Sequence, residues 1–158
     1  MEQLALSEEI GNILRKHKLT IATAESCSGG ALLSRLTDIP GSSAYVIGGM
    51  IAYSNRIKID RLGVNESDIK KQGAVSETVA LQMAQNIAKL MRTDIGVSTT
   101  GIAGPGGGSD EKPVGTVWIG FWRPGKHFAL WKQFDGDRLA VKDQTIGRAL
   151  KMVHDVIV

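Results

Sequence analysis

The chain has 158 residues, long enough for one domain with a sizeable core. Hydrophobic residues make up 42% and charged residues 22%, and 19 Lys and Arg against 16 Asp and Glu leave a net charge of +3. That balance excludes a disordered chain, and with no basic run interleaved with aromatics and no apolar run near the ~20 residues of a membrane span, neither nucleic acid nor a bilayer is the expected partner.

The single cysteine, Cys27, excludes an internal disulfide, and no signal peptide is visible at the start. A reducing, cytoplasmic setting is the expectation. Leu6, Ile10, Ile13 and Leu14 recur at helical spacing, which predicts a first helix over 7–17 with Ser7 as its cap. Residues 20–25 form an apolar, β-branched run and predict a strand. A Ser26-Cys27-Ser28-Gly29-Gly30 turn then leads into a helix predicted over 28–37, stopped by Pro40-Gly41. Tyr45 to Tyr53 reads as a second strand, its Gly48-Gly49 pair hinting at a bulge or a close backbone approach. Ser54-Asn55 caps a short helix carrying Ile57 and Lys58, and a second short helix is predicted from Asn65 to Lys71. Ser76 caps a long helix with an apolar stripe of Val79, Met83, Ile87, Leu90 and Met91.

A third strand at 94–99 runs into a loop in which five of the eight residues 101–108 are glycine. Two further strands, 114–122 and 128–134, are joined by Arg123-Pro124-Gly125-Lys126, a hairpin turn, and a last helix is predicted over 137–157. Early alternation of helix and strand followed by a hairpin predicts a three-layer α/β/α sandwich with a mixed sheet of about five strands. No repeat, linker or second domain is visible, so residues 1–158 read as one domain.

Four places carry polar or nucleophilic residues in a pattern that invites chemistry. The Ser26-Cys27-Ser28 turn reads either as a well-capped helix start or as a nucleophile beside backbone N–H donors. His17, His127 and His154 fall near helix ends or the hairpin turn, outside any polar cluster, so neither a Ser-His-Asp triad nor a histidine metal site is expected. Lys58 follows a strand end, where active-site loops of α/β sheets collect; it reads either as a solvated helix residue or as a base with a lowered pKa. The glycine-rich loop after Thr99-Thr100 fits neither a Walker loop nor a dinucleotide fingerprint, yet it exposes backbone N–H groups that suit an anion or a substrate. Arg138, at the start of the last helix, reads either as an exposed helix residue or as a phosphate contact.

Ala24-Glu25-Ser26-Cys27-Ser28-Gly29-Gly30, Tyr53-Ser54-Asn55 with Lys58, Gly73-Ala74-Val75-Ser76, Gly101-Ile102-Ala103-Gly104-Pro105-Gly106-Gly107, Lys112-Pro113-Val114-Gly115-Thr116-Val117 and Gly136-Asp137-Arg138 follow one another in this order. Together, over about residues 5–157, they resemble the CinA C-terminal domain family, whose stand-alone members include a nicotinamide-nucleotide amidase. The resemblance implies hydrolysis of the carboxamide of nicotinamide mononucleotide to nicotinate mononucleotide and ammonia, with no metal and no organic cofactor. It maps the nucleophile onto Ser26 and the lysine base onto Lys58, which takes the serine proton directly or through Tyr53 as a relay.

Ser28, Gly29, Gly30, Asn55, Thr100, Gly101, Gly104 and Arg138 are the expected substrate contacts. Helix-start N–H groups near Ser28 and Gly29, or those of Thr100-Gly101, face the oxyanion, and Arg138 faces the phosphate. Many family members carry threonine where this chain has Ser28. Longer relatives carry an N-terminal domain with a pyrophosphatase-type activity, which is not carried over. The expected partner is a pyridine mononucleotide, and the expected assembly a homo-oligomer. Two rivals stand beside this reading: Cys27 as a thiolate nucleophile with Glu25 as base, and a nucleotide-binding module without turnover, linked to competence or DNA damage.

Overall fold

The structure, a computed structural model, describes residues 1–158. Five strands form one sheet: β1 (Ile21–Glu25), β2 (Val46–Ile51), β3 (Ile95–Gly101), β4 (Thr116–Arg123) and β5 (Lys126–Gln133). Their spatial order is β2-β1-β3-β4-β5. β1 pairs in parallel with β2 and β3, whereas β3, β4 and β5 pair antiparallel, so the sheet is mixed as expected. The β1–β2 register slips between Ile21 and Ala22, which places a bulge at Ile47, just before the glycine pair.

Six helices cover the two faces: α1 (Glu2–His17), α2 (Ala31–Thr37), α3 (Asn55–Asp60), α4 (Glu66–Gln72), α5 (Glu77–Met91) and α6 (Arg138–Ile157). α1, α2 and α6 bury Ile10, Leu14, Leu32, Leu36, Leu150 and Val153 against Ile21, Val97, Ile119 and Phe121 of the sheet. α5 closes the opposite face, its Val79, Met83 and Ile87 packing on Ala22 and Ala24. It lies so close that a Cβ at Gly96 or Gly120 would overlap the Ala84 or Ala80 carbonyl oxygen. The Ser98 hydroxyl donates to the same Ala80 carbonyl at 2.6 Å. This direct packing of helix backbone on sheet fixes α5, and with it the loop that precedes it.

Local sequence explains most boundaries. Ser54, Asn65, Ser76 and Asp137 each accept a hydrogen bond from the backbone N–H three residues on, starting α3, α4, α5 and α6. Three expectations fail. Ser7 does not cap α1: the helix starts at Glu2, because Leu4, Ala5 and Leu6 are good helix formers, and Ser7 is buried within it. The second helix starts at Ala31 and not at residue 28, for a reason given below. Leu90, in the last turn of α5, leaves the stripe and stands 53% exposed. No helix is long and apolar enough to cross a membrane.

Candidate active site

β1 leaves the sheet after Glu25. The Ser26 N–H donates to the Thr99 carbonyl at 3.0 Å, the last bond of the β1–β3 ladder, and the chain then folds back with Gly29 N–H on the Ser26 carbonyl at 3.1 Å. Gly29 and Gly30 take φ of +63° and +98°, where an L side chain is strained by roughly 1–2 kcal/mol, so helical geometry cannot begin before Ala31. Glu25 closes the helix end. Its Oε1 accepts the Leu32 N–H at 2.8 Å and the Ser28 hydroxyl at 2.6 Å, and its Oε2 accepts the Leu33 N–H at 2.9 Å.

This overturns part of the expected site. The N–H groups of α2 do not face a developing charge, since the buried Glu25 carboxylate occupies them. Ser28 is fully buried beneath the turn, within 2.6 Å of the Thr99 hydroxyl as well. Neither Ser28 nor Gly29 nor Gly30 lines the cleft described next. With the Thr23 hydroxyl also donating to Oε2 at 3.3 Å, each Glu25 oxygen accepts two hydrogen bonds, which leaves it poorly placed to act as a base.

Ser26 and Lys58 meet. The Lys58 Nζ lies 3.0 Å from the Ser26 Oγ and donates to the backbone carbonyl of Tyr53 at 2.9 Å. The Ser54 cap sets the first turn of α3, and one turn later Lys58 points inward, only 2% exposed. Burial pulls its pKa down from 10.5 to about 8, since desolvation disfavours the ammonium. Cys27 opposes this weakly as a nearby acid, but burial pushes its own thiol up to about 12, so it is neutral while Lys58 titrates. A buried thiol so hard to ionise is a poor nucleophile.

Of the two expected proton paths, the geometry favours the direct one. With Lys58 in direct contact with Ser26 there is no gap for a relay to bridge, and the Tyr53 hydroxyl instead accepts from Arg138 Nη2 at 3.1 Å. What Tyr53 offers the pair is its backbone carbonyl, which orients the amine. In the neutral amine two hydrogens remain, enough to satisfy that carbonyl while the lone pair faces Ser26.

Ser26 and Lys58 stand in a cleft of about 290 Å³, near the lower limit of roughly 300–1,000 Å³ for small-molecule sites. Of the other expected contacts, Tyr53, Asn55, Thr100, Gly101, Gly104 and Arg138 line it. Thr100 acts through its side chain: its hydroxyl donates to the Ala74 carbonyl at 2.8 Å and draws the loop before α5 over the cleft. Gly101 follows the last rung of the β1–β3 ladder. The carbonyl its N–H would reach next, that of Ser26, is taken by Gly29, which leaves the Gly101 N–H without a hydrogen-bond partner beside the nucleophile. Arg138 spans the mouth, with Nη1 on the Gly104 carbonyl at 2.7 Å and Nη2 on Tyr53.

Ala74 and Val75 also line the cleft without having been named as contacts, as do Ile102, Gly106 and Gly107 of the glycine-rich loop already read as suited to an anion or a substrate. A four-residue connection, Gly73 to Ser76, between two capped helices was the available signal for the first two. His17 and His127 are exposed, and His154 pairs with Glu9 at 2.9 Å between α6 and α1; no histidine lines the cleft.

Comparison with known proteins gives consistent neighbours. Residues 3–157 match the CinA C-terminal domain family. A Halothermothrix orenii protein is 52% identical over 138 residues, 87% of this chain and 33% of that protein. A "CinA-like protein" of Sulfurihydrogenibium sp. is 49% identical over 154 residues, 97% of this chain and 38% of that protein. The chain thus spans little more than a third of the length of the curated relatives it matches. The crystal structure of the competence/damage inducible protein CihA from Agrobacterium tumefaciens superposes with a TM-score of 0.96 at 38% identity, covering 99% of this chain and 96% of that one. A CinA superfamily protein from Klebsiella pneumoniae does so with a TM-score of 0.94 at 30% identity, covering 98% and 97%.

Proposed function

The chain belongs to the CinA C-terminal domain family, and from that premise we propose that it is an amidase which deamidates nicotinamide mononucleotide through a serine acyl-enzyme. The observation that carries this reading is the 3.0 Å contact between a buried lysine of lowered pKa and a serine hydroxyl at the foot of a cleft. Such a pair is an activated nucleophile with its base.

In this reading the neutral Lys58 amine takes the proton of Ser26 Oγ as the oxygen attacks the carboxamide carbon. The Gly101 N–H stabilises the oxyanion. The Lys58 ammonium returns its proton to the leaving nitrogen, the C–N bond breaks, and ammonia departs. Lys58, neutral again, accepts a proton from water as the water attacks the ester; the ester C–O bond breaks, and Lys58 reprotonates Ser26. The products are nicotinate mononucleotide and ammonia, with atoms and charge balanced. Arg138 holds the 5′-phosphate at the mouth of the cleft: its two current acceptors are neutral, and a phosphate oxygen is a stronger acceptor than either.

Ammonia release from nicotinamide, its riboside and its mononucleotide tests the reading. The mononucleotide is the preferred substrate, and Ser26→Ala or Lys58→Ala lowers its turnover at least ~1,000-fold. Absence of ammonia at high enzyme concentration, with the mononucleotide still raising the melting temperature, would instead support a binding module. The competence and damage vocabulary in the names of relatives describes a cellular response, and it accommodates either chemistry.

A further inference from the structure

A second pocket of about 490 Å³, lined by Arg138 but not by Ser26, is comparable with ordinary small-molecule sites of roughly 300–1,000 Å³. It shares Ala103 and Arg138 with the cleft, so the two cavities adjoin at these residues. Its apolar lining comes from Ala103, Pro105, Val114 and Leu139. Leu139 stands 73% exposed on the first turn of α6, and Pro105 is exposed as well. Asp137 adds one polar feature. Its Oδ1 accepts the Ala140 N–H at 2.9 Å, while its second carboxylate oxygen has no partner and no cation pairs with it.

These features suit the parts of a nucleoside. A flat base gains by covering apolar surface, at roughly 25 cal/mol for each Å² removed from water. A ribose diol donates to a carboxylate oxygen, as acidic residues do toward the ribose in dinucleotide sites, whereas a phosphate in that place is repelled by it. Arg138 stands between the two cavities, where a pyrophosphate would join two nucleosides.

We propose that this pocket is a second-nucleoside subsite, and that the protein binds pyridine dinucleotides lacking a 2′-phosphate across Arg138. The nicotinamide half enters the Ser26 cleft, the diphosphate lies on the guanidinium, and the second base covers Leu139 and Pro105. The proposal rests on the reading that the mononucleotide phosphate lies at Arg138. It concerns binding and holds whether or not the dinucleotide is hydrolysed.

The test is calorimetric titration of the Ser26→Ala protein with nicotinamide mononucleotide, nicotinamide adenine dinucleotide and its 2′-phosphorylated form. The dinucleotide binds at least as tightly as the mononucleotide, the 2′-phosphorylated form at least tenfold more weakly than the dinucleotide, and Leu139→Asp lowers the dinucleotide-to-mononucleotide affinity ratio at least fivefold. A dinucleotide weaker than the mononucleotide, equal affinity for the two dinucleotides, or an unchanged ratio in Leu139→Asp overturns the proposal. Should Ser26→Ala fail to fold, competition by each dinucleotide in the wild-type ammonia assay gives the same ordering. Mononucleotide turnover without dinucleotide binding defeats the subsite alone, and dinucleotide binding without any turnover defeats the amidase reading alone.

Discussion

The Glu25 carboxylate accepts the Ser28 hydroxyl at 2.6 Å, and with its two oxygens it also closes the N-terminus of α2 through Leu32 and Leu33. A buried carboxylate thus holds the turn that carries Ser26, with both of its oxygens already engaged there. Removing it leaves two backbone N–H groups unpaired in the interior and takes an acceptor from the Thr23 and Ser28 hydroxyls, of which Ser28 keeps Thr99 as a partner. Glu25→Ala costs about 3–5 kcal/mol of stability, and Glu25→Gln, which keeps one acceptor but adds donors facing donors, about 2 kcal/mol. Urea denaturation monitored by far-ultraviolet circular dichroism measures both. If Glu25 were the base for Cys27, Glu25→Gln would abolish turnover even under conditions where the variant is fully folded.

Lys58 makes the site pH-dependent in two senses. As a base it works only when neutral, and with a pKa of about 8 roughly a tenth of it is free amine at pH 7. Mononucleotide kcat/KM therefore rises close to tenfold per pH unit below about 8 and levels off above it. Stability follows the same titration. The folded pKa lies below the unfolded value of 10.5, so between about 8 and 10.5 the unfolded chain binds more protons and the folded state gains stability as pH rises. Below about 8 the full penalty of the buried ammonium is present. Lys58→Met, which fills the space without a charge, is inactive yet stabilises the fold by ~1–3 kcal/mol at pH 7. That advantage shrinks as the pH approaches 10.5. Melting temperatures of both proteins from pH 7 to 10.5 check the sign.

Cys27 takes the opposite outcome from its rival reading. It is buried, and desolvation pushes its thiol to about 12, so the thiolate is a vanishing fraction at working pH. Cys27→Ala keeps mononucleotide turnover within about tenfold of wild type and costs about 1 kcal/mol through a small cavity. Iodoacetamide at pH 8 neither labels the folded protein on the timescale of minutes nor inhibits it. Loss of turnover in Cys27→Ala, with turnover intact in Ser26→Ala, would reverse the assignment of the nucleophile.

Much of the molecule was legible in the chain because its signals are local. The side-chain caps at Ser54, Asn65, Ser76 and Asp137, and the hairpin turn at Pro124-Gly125, act within a few residues of themselves. What escaped depends on groups that meet in space. Spacing alone left Lys58 open between a solvated residue and a base; a separation of 32 residues collapses to 3.0 Å only once β1 and β2 pair. The turn at 26–30 misled for the same reason. Its glycines suggested a helix start open to a ligand, whereas the acidic residue just before the turn folds under it and fills that place. Ala74 and Val75 carry no chemical signature; Thr100 brings them to the cleft.

Tyr53 and Arg138 separate binding from chemistry. The Tyr53 hydroxyl touches Arg138, while its backbone carbonyl touches Lys58, and only the first contact is lost in Tyr53→Phe. A relay would make this variant nearly inactive. In the arrangement seen here it keeps the pH midpoint near 8 and turnover within about tenfold, because Lys58 still reaches Ser26 directly. Arg138→Ala acts elsewhere. Losing a charge-assisted contact to phosphate, worth about 1.5–3 kcal/mol, raises the mononucleotide KM about 10–100-fold. The same variant leaves kcat/KM on the riboside, which has no phosphate, within about threefold. Steady-state kinetics on both substrates resolves the two roles: an equal loss on riboside and mononucleotide in Arg138→Ala would move the phosphate elsewhere in the cleft, and a collapse of kcat in Tyr53→Phe would return the proton path to the phenol.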